Sequence, residues 1–188
     1  MQDLLDSLLQ KPVPIEELDL KKVAAGAAVG LMLSVFPASA DVRHNDKVEI
    51  SWSEAATKYA ADENIVAKVL AGEAGSAGEE GMKAVACVIQ NRSGDAEDLV
   101  RKKYQFSSMV MPAMMEKNYK AVKGVADKLA SEIGSLTDVT GGATNYVTKA
   151  LYKKVLDDPK WAKTQKLDWV GKMVKTVEIG NHVFLKGK

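Results

Sequence analysis

The 188-residue chain has a single cysteine, Cys87, so it forms no internal disulfide and no multi-cysteine metal site. Two histidines, His44 and His182, are too few for a histidine-rich zinc centre. Fourteen glycines and five prolines exclude collagen-like and low-complexity sequence. Charge of one sign is missing too: 26 basic and 25 acidic residues leave +1, which gives no global electrostatic footprint for nucleic acid. Aromatic residues are only 6%, yet 46% of the chain is hydrophobic and 27% charged. That balance excludes intrinsic disorder and suits one ordinary domain with an appendage.

The balanced charge hides an uneven distribution. Residues 1–40 carry three basic and five acidic side chains, and residues 41–146 carry 13 and 16. Residues 147–188 carry ten lysines against four acids, a local sum of +6. Such a tail reads as a solvated lysine surface, or as a patch that meets an anionic polymer by charge attraction. Cell wall, membrane and nucleic acid all fit the second reading.

Residues 1–40 form an N-terminal extension. A short amphipathic stretch from Asp3 to Leu9 leads through a proline-containing link to Lys21-Lys22. Val23 to Ala40 then runs 18 residues without charge and ends Ala38-Ser39-Ala40. Positive charge, an apolar stretch and an A-x-A ending are the parts of a secretory signal, because the peptidase pocket accepts only small residues beside the cut. The stretch is rich in Ala and Gly and at the short limit for a membrane span. Residues 21–40 therefore read as a signal-like segment or a weak membrane anchor, and a packed small-residue helix is the alternative.

The remainder, residues 45–188, reads as a mainly helical α+β domain. Ser51-Trp52-Ser53-Glu54 fits a capping box that opens a helix reaching about Asp62. A second helix is expected from about Ile65 to Ala71, with Gly72, Gly75 and Gly78 breaking regular structure around Glu73. A third, over about Glu79–Arg92, is apolar on nearly every side and so buried, with Cys87 as a small core residue. Further helices are expected over about 96–103 and 117–131. Thr144–Thr148 reads as a strand, and Lys172–Glu178 with His182–Leu185 as a hairpin on a Gly-Asn turn.

Glu73 is the chemically unusual residue. It sits at the end of an apolar helix, between glycines, ahead of a buried helix. A carboxyl group held partly out of water keeps its proton more readily, and a protonated carboxyl can act as general acid toward a glycosidic oxygen. Position alone does not separate this from an ordinary surface acid.

Ordered motifs add to that reading. Gly72-Glu73-Ala74, Glu80-Gly81, an alanine- and valine-rich helix and Asn91-Arg92 follow one another. Then come Gln105-Phe106-Ser107, Thr140-Gly141-Gly142-Ala143-Thr144-Asn145-Tyr146 and Ile179-Gly180-Asn181-His182-Val183-Phe184. Over about residues 60–186 this series resembles the SleB-type cell wall hydrolases, the spore-cortex-lytic enzymes and their bacterial and phage relatives. Two departures stand out. Gly75-Ser76-Ala77 replaces the Arg-Gly-Glu that many relatives have after the first motif, and Asn145 stands where many have His. Asn can hydrogen-bond a sugar but does not titrate near neutral pH.

The resemblance implies a lysozyme-like catalytic domain acting on peptidoglycan glycan strands, with no metal or organic cofactor. It implies a lytic transglycosylase in which one glutamate, Glu73, protonates the bridging oxygen and then deprotonates the muramic C6 hydroxyl. Glu80 is the runner-up carboxylate, although an acid in the first turn of a helix is favoured there by the dipole alone. Gln105, Ser107, Thr144 and Asn145 are the hydrogen-bonding candidates for substrate, with Phe106 and Tyr146 as sugar-lining rings and His182 as a site contact. Phe106 reads equally as core. Asn91-Arg92 is expected to brace the site, and Trp161 and Trp169 to pack. A hydrolytic muramidase, and a non-catalytic peptidoglycan-binding or virion assembly protein, remain the alternatives. The expected location is the periplasm or cell envelope, or a phage virion, with membrane contact through residues 21–40, virion or lysis-machinery partners and no nucleic acid.

Overall fold

A computed structural model describes residues 49–188, so the extension 1–40, with its signal-like or anchor segment, and His44 lie outside the described residues. Among the described residues no helix is long and apolar enough to cross a membrane. The architecture is α+β and mainly helical, with one small antiparallel sheet near the C-terminus.

Local sequence explains each helix start. Ser51 and Glu54 close the expected capping box on α1 (Trp52–Lys58), whose chain turns out of the helix before Asp62. Asp62 instead accepts from the Asn64 N–H and from Lys68, anchoring the start of α2 (Ile65–Ala74). This helix runs three residues past the expected Ala71 and carries Glu73 in its last turn, so the break falls after Ala74, in the 3-10 turn Gly75–Ala77. Helix α3 spans Gly78–Asn91 and α4 spans Ala96–Arg101, the latter capped by the Asp95 carboxylate. A 3-10 turn at Ser107–Val110 leads into α5 (Pro112–Ser131). That helix starts five residues before Lys117, since Pro112 supplies a backbone already set for a first turn.

Helix α3 is buried on two sides, as its all-round apolar sequence implies. Met82, Val85, Ala86 and Ile89 pack into the helical core with Val69, Leu70, Phe106, Met109 and Met115. Ala84 and Val88 face the other way, toward Ala143, Ile179 and Phe184. Cys87 is fully buried, and its thiol leans on the Thr137 carbonyl at 3.7 Å.

The sheet has strand order β1-β3-β2, from Asn145–Thr148, His182–Lys186 and Val174–Ile179 respectively. Gly180, with φ of +55°, makes the expected hairpin turn between β2 and β3. Alternation along the strands gives the sheet two buried faces. Tyr146, Phe184 and Ile179 face α3. Val147, Val183 and Leu185 face a second core made with α6 (Lys149–Asp157) and α7 (Pro159–Thr164). Neither of these helices is expected from the sequence pattern. Thr148 caps α6 by accepting from the Leu151 N–H, and Asp158 caps α7, with Pro159 at its first position.

Candidate active site

Glu73 lies where the helical core meets the sheet. Its Oε1 accepts from the Ser108 backbone N–H at 2.7 Å and from the Ser107 hydroxyl at 3.2 Å. Its Oε2 accepts from the Tyr146 hydroxyl at 2.8 Å. The carboxyl is thus clamped between the 107–110 turn on one side and β1 on the other.

Gly72 makes the first half of the clamp. A Cβ at this position would stand 2.5 Å from Ser108 Cβ, so only glycine lets the last turn of α2 come close enough for the Ser108 N–H to reach Glu73. The second half depends on the sheet. Tyr146 packs at 5.8 Å from the Phe184 ring and edge-on at 5.1 Å from His182. These neighbours fix the phenol, whose hydroxyl then points at the carboxyl.

Burial first, then the charge of Glu73 and its hydrogen bond, push the Tyr146 phenol well above its ordinary pKa. It stays neutral at any working pH and acts as a hydrogen-bonding group. Burial lowers the pKa of His182, opposed by the Glu73 charge, and its Nδ1 is buried without a hydrogen-bond partner. The imidazole is therefore mostly neutral at neutral pH.

Arg92 braces the arrangement from beneath. Its Nε donates to the Thr144 carbonyl at 2.6 Å and its Nη1 to Gln105 Oε1 at 3.2 Å. The guanidinium lies 5.4 Å from the centre of the Phe106 ring. Burial lowers its pKa, and the proximity of Tyr146 and Glu73 opposes this. Asn91 adds bonds to Thr140 Oγ1 and to the Ala143 carbonyl, which tie the end of α3 to the start of β1. The Asn91-Arg92 pair occupies the bracing position expected of it.

The structure brings Glu73, Ser107, Tyr146 and His182 together. Gln105 is exposed and held by Arg92; Thr144 stands at the start of β1, its hydroxyl accepting from Asn145 Nδ2 at 3.0 Å. Strand alternation turns Asn145 to the face opposite Tyr146. Phe106 is fully buried, so its ring supports Arg92 rather than a sugar. Glu80 is exposed in the first turn of α3 and makes no hydrogen bond to the cluster. Trp161 and Trp169 pack against the second core, on the other face of the sheet from Tyr146. Ser108 was not expected: it contributes a backbone N–H, a group every residue but proline has, so it leaves no signature in sequence.

What the arrangement offers is one carboxyl group with two hydroxyls and one amide on it. Hydroxyls can donate or accept. The Tyr146 contact therefore survives either protonation state of Glu73, by reversal of its O–H direction. The charge of Glu73 acts on Arg92, Tyr146 and His182 alike.

Residues 76–185 match the model of a family described as Cell Wall Hydrolase, more than half of the chain. The matched segment contains Arg92, Ser107, Ser108, Tyr146 and His182 and begins three residues after Glu73. No curated protein and no solved structure matches the chain.

Proposed function

Because the chain belongs to the cell wall hydrolase family, we propose that it cuts peptidoglycan glycan strands between N-acetylmuramic acid and N-acetylglucosamine, with Glu73 as acid and then base. The observation that carries this reading is the clamp on Glu73: two hydroxyls and a backbone N–H converge on one carboxyl at the junction of helical core and sheet. Peptidoglycan lies in the cell envelope, and the enzyme works there. Residues 21–40 carry the signal-like pattern that suits export.

In the first step the Glu73 carboxyl gives its proton to the bridging glycosidic oxygen. The C1–O bond breaks, its electron pair leaves with that oxygen, and positive charge develops on the muramic ring. Glu73 is now a carboxylate, held by Ser107, Ser108 and Tyr146. In the second step it takes the proton of the muramic C6 hydroxyl, whose oxygen closes on C1 to give the 1,6-anhydro ring. The carboxyl is protonated again and no water is consumed. Glycosidases that admit water ordinarily use two carboxylates across the bond, and one carboxylate favours the transglycosylase over the hydrolytic muramidase. Ser107, Tyr146 and His182 line the reacting position, Gln105 and Thr144 are outer candidates for N-acetyl and hydroxyl contacts, and Asn145, turned to the other face of the sheet, is not.

Mass spectrometry of fragments released from purified peptidoglycan by the full chain tests this. Products ending in 1,6-anhydromuramic acid are expected. Reducing ends, heavier by one water, would make the enzyme a muramidase. Absence of release from folded protein would favour a peptidoglycan-binding or assembly role instead.

A further inference from the structure

Lys186 and Lys188 at the end of the sequence are exposed and form no ion pair among the described residues, and the lysines of residues 149–175 divide into two sets. Lys149 and Lys175 share Glu178, Lys153 pairs with Asp157, and Lys172 with Asp168. Lys154 lies over the Trp161 ring, 4.0 Å from its centre. The second set, Lys160, Lys163 and Lys166, is exposed, and none of the three forms an ion pair among the described residues. Their spacing is regular. Lys160 and Lys163 stand one turn apart on α7, where i,i+3 neighbours are about 5–6 Å apart, and Lys166 follows three residues later.

Lys166 occupies an unexpected backbone position. Helix α7 ends in a Schellman motif: the Lys166 N–H bonds the Lys163 carbonyl, and the Leu167 N–H bonds the Ala162 carbonyl at 2.7 Å. Ala162 and Leu167 are both buried, which supplies the apolar contact that goes with the motif. The motif needs a left-handed residue, and Lys166 has φ of +56°. Glycine fits there without strain, whereas a lysine bears a steric penalty. The chain thus spends stability on a third exposed lysine within six residues of two others.

We propose that this lobe is a docking surface for a phosphate-bearing polyanion of the cell envelope, held by the exposed Lys160, Lys163 and Lys166. The choice of an envelope polymer rests on the cell-wall reading above. One feature disfavours a nucleic acid. Lys154 lies over one face of the Trp161 ring and so takes that face from stacking with nucleic-acid bases. Lys160 and Lys163 sit on α7, which helps cover one face of the sheet, and Tyr146 projects from the other. A bound polymer would hold the enzyme beside the wall without entering the site.

The test measures binding of the full chain to purified poly(glycerol phosphate) over a range of salt concentrations. The triple variant Lys160→Gln/Lys163→Gln/Lys166→Gln is expected to bind at least about tenfold more weakly, with the log–log salt slope flatter by about 2, as for loss of three phosphate contacts. Its cleavage of peptidoglycan stripped of anionic polymer stays at the wild-type rate. Lys166→Gly separates charge from folding: Tm rises by about 2–4 °C while polymer affinity falls. Equal binding by wild type and triple variant overturns the proposal. So does tighter binding to anionic lipid vesicles or duplex DNA than to the polymer. Polymer binding that persists in a chain unable to cut peptidoglycan upholds this surface and overturns the hydrolase reading alone.

Discussion

The Tyr146 hydroxyl stands 2.8 Å from Glu73 Oε2, joining strand β1 to a helix residue 73 positions earlier in the chain. The contact suits both steps of the proposed reaction, because the phenol donates to a carboxylate and accepts from a carboxylic acid. Replacing it with Tyr146→Phe keeps the ring packing on Phe184 and His182 and removes the hydrogen bond alone. A hydrogen bond to a charged group is worth about 1.5–3 kcal/mol, which converts to a fall of about 10- to 150-fold in kcat. Glu73→Gln should lose activity altogether with its fold intact. Turbidity assays on peptidoglycan, with circular dichroism as the folding control, check both. A Tyr146→Phe enzyme at full rate would remove the phenol from the mechanism.

Gly72→Ala tests how closely helix α2 must approach the 107–110 turn. The added methyl would meet Ser108 Cβ at 2.5 Å and Met115 Cγ at 3.1 Å, and both neighbours are buried. Overpacking of this kind costs about 1–3 kcal/mol. The strain falls on the segment that carries the Ser108 N–H, so activity should drop by more than the loss of folded protein explains. Thermal unfolding and initial rates, measured on the same preparation, separate the two effects. An alanine variant with unchanged Tm and rate would show that the turn moves freely.

Arg92→Lys should act through positioning. The guanidinium bonds both Thr144 and Gln105 and lies on Phe106, a geometry that a single ammonium cannot reproduce. Lysine keeps the charge near Glu73 but releases β1 from the end of α3. The expected result is a lower kcat with KM little changed, and a Tm decrease that reflects the lost packing. A kcat equal to the wild type, with lowered Tm, would assign Arg92 to stability only.

Much of this was legible in the sequence because it is locally encoded. The Ser51–Glu54 capping box, the all-round apolar α3 and the Gly180-Asn181 turn each follow from neighbouring residues. The sequence pattern ends α2 at Ala71, whereas the helix continues to Ala74, because Gly72, a helix breaker by propensity, is there for a tertiary reason: the approach of Ser108. Helices α6 and α7 were hidden by their lysine-rich outer faces, although Thr148 and Asp158-Pro159 are serviceable start signals. Within the site, Glu73, Ser107, Tyr146 and His182 were readable from motif order. Burial of Phe106 and the outward turn of Asn145 depend on packing and strand register, which residue identity alone does not determine.

His182 gives a pH-dependent test of the same geometry. Its pKa in the folded protein lies below the ordinary 6.5, because burial disfavours the imidazolium and the Glu73 charge only partly offsets this. As pH falls through 6.5 the unfolded chain takes up the proton first. The stability associated with the neutral imidazole is therefore complete above 6.5, and it is lost as pH falls toward the folded value. Wild-type Tm should decline more steeply below pH 6.5 than that of His182→Gln, the curves running parallel above it. Imidazole proton resonances followed by NMR, assigned with the same variant, should give a His182 midpoint below 6.5. In Glu73→Gln the opposing charge is gone, so that midpoint should move lower still. A midpoint unmoved by Glu73→Gln would mean that the two side chains do not share the site.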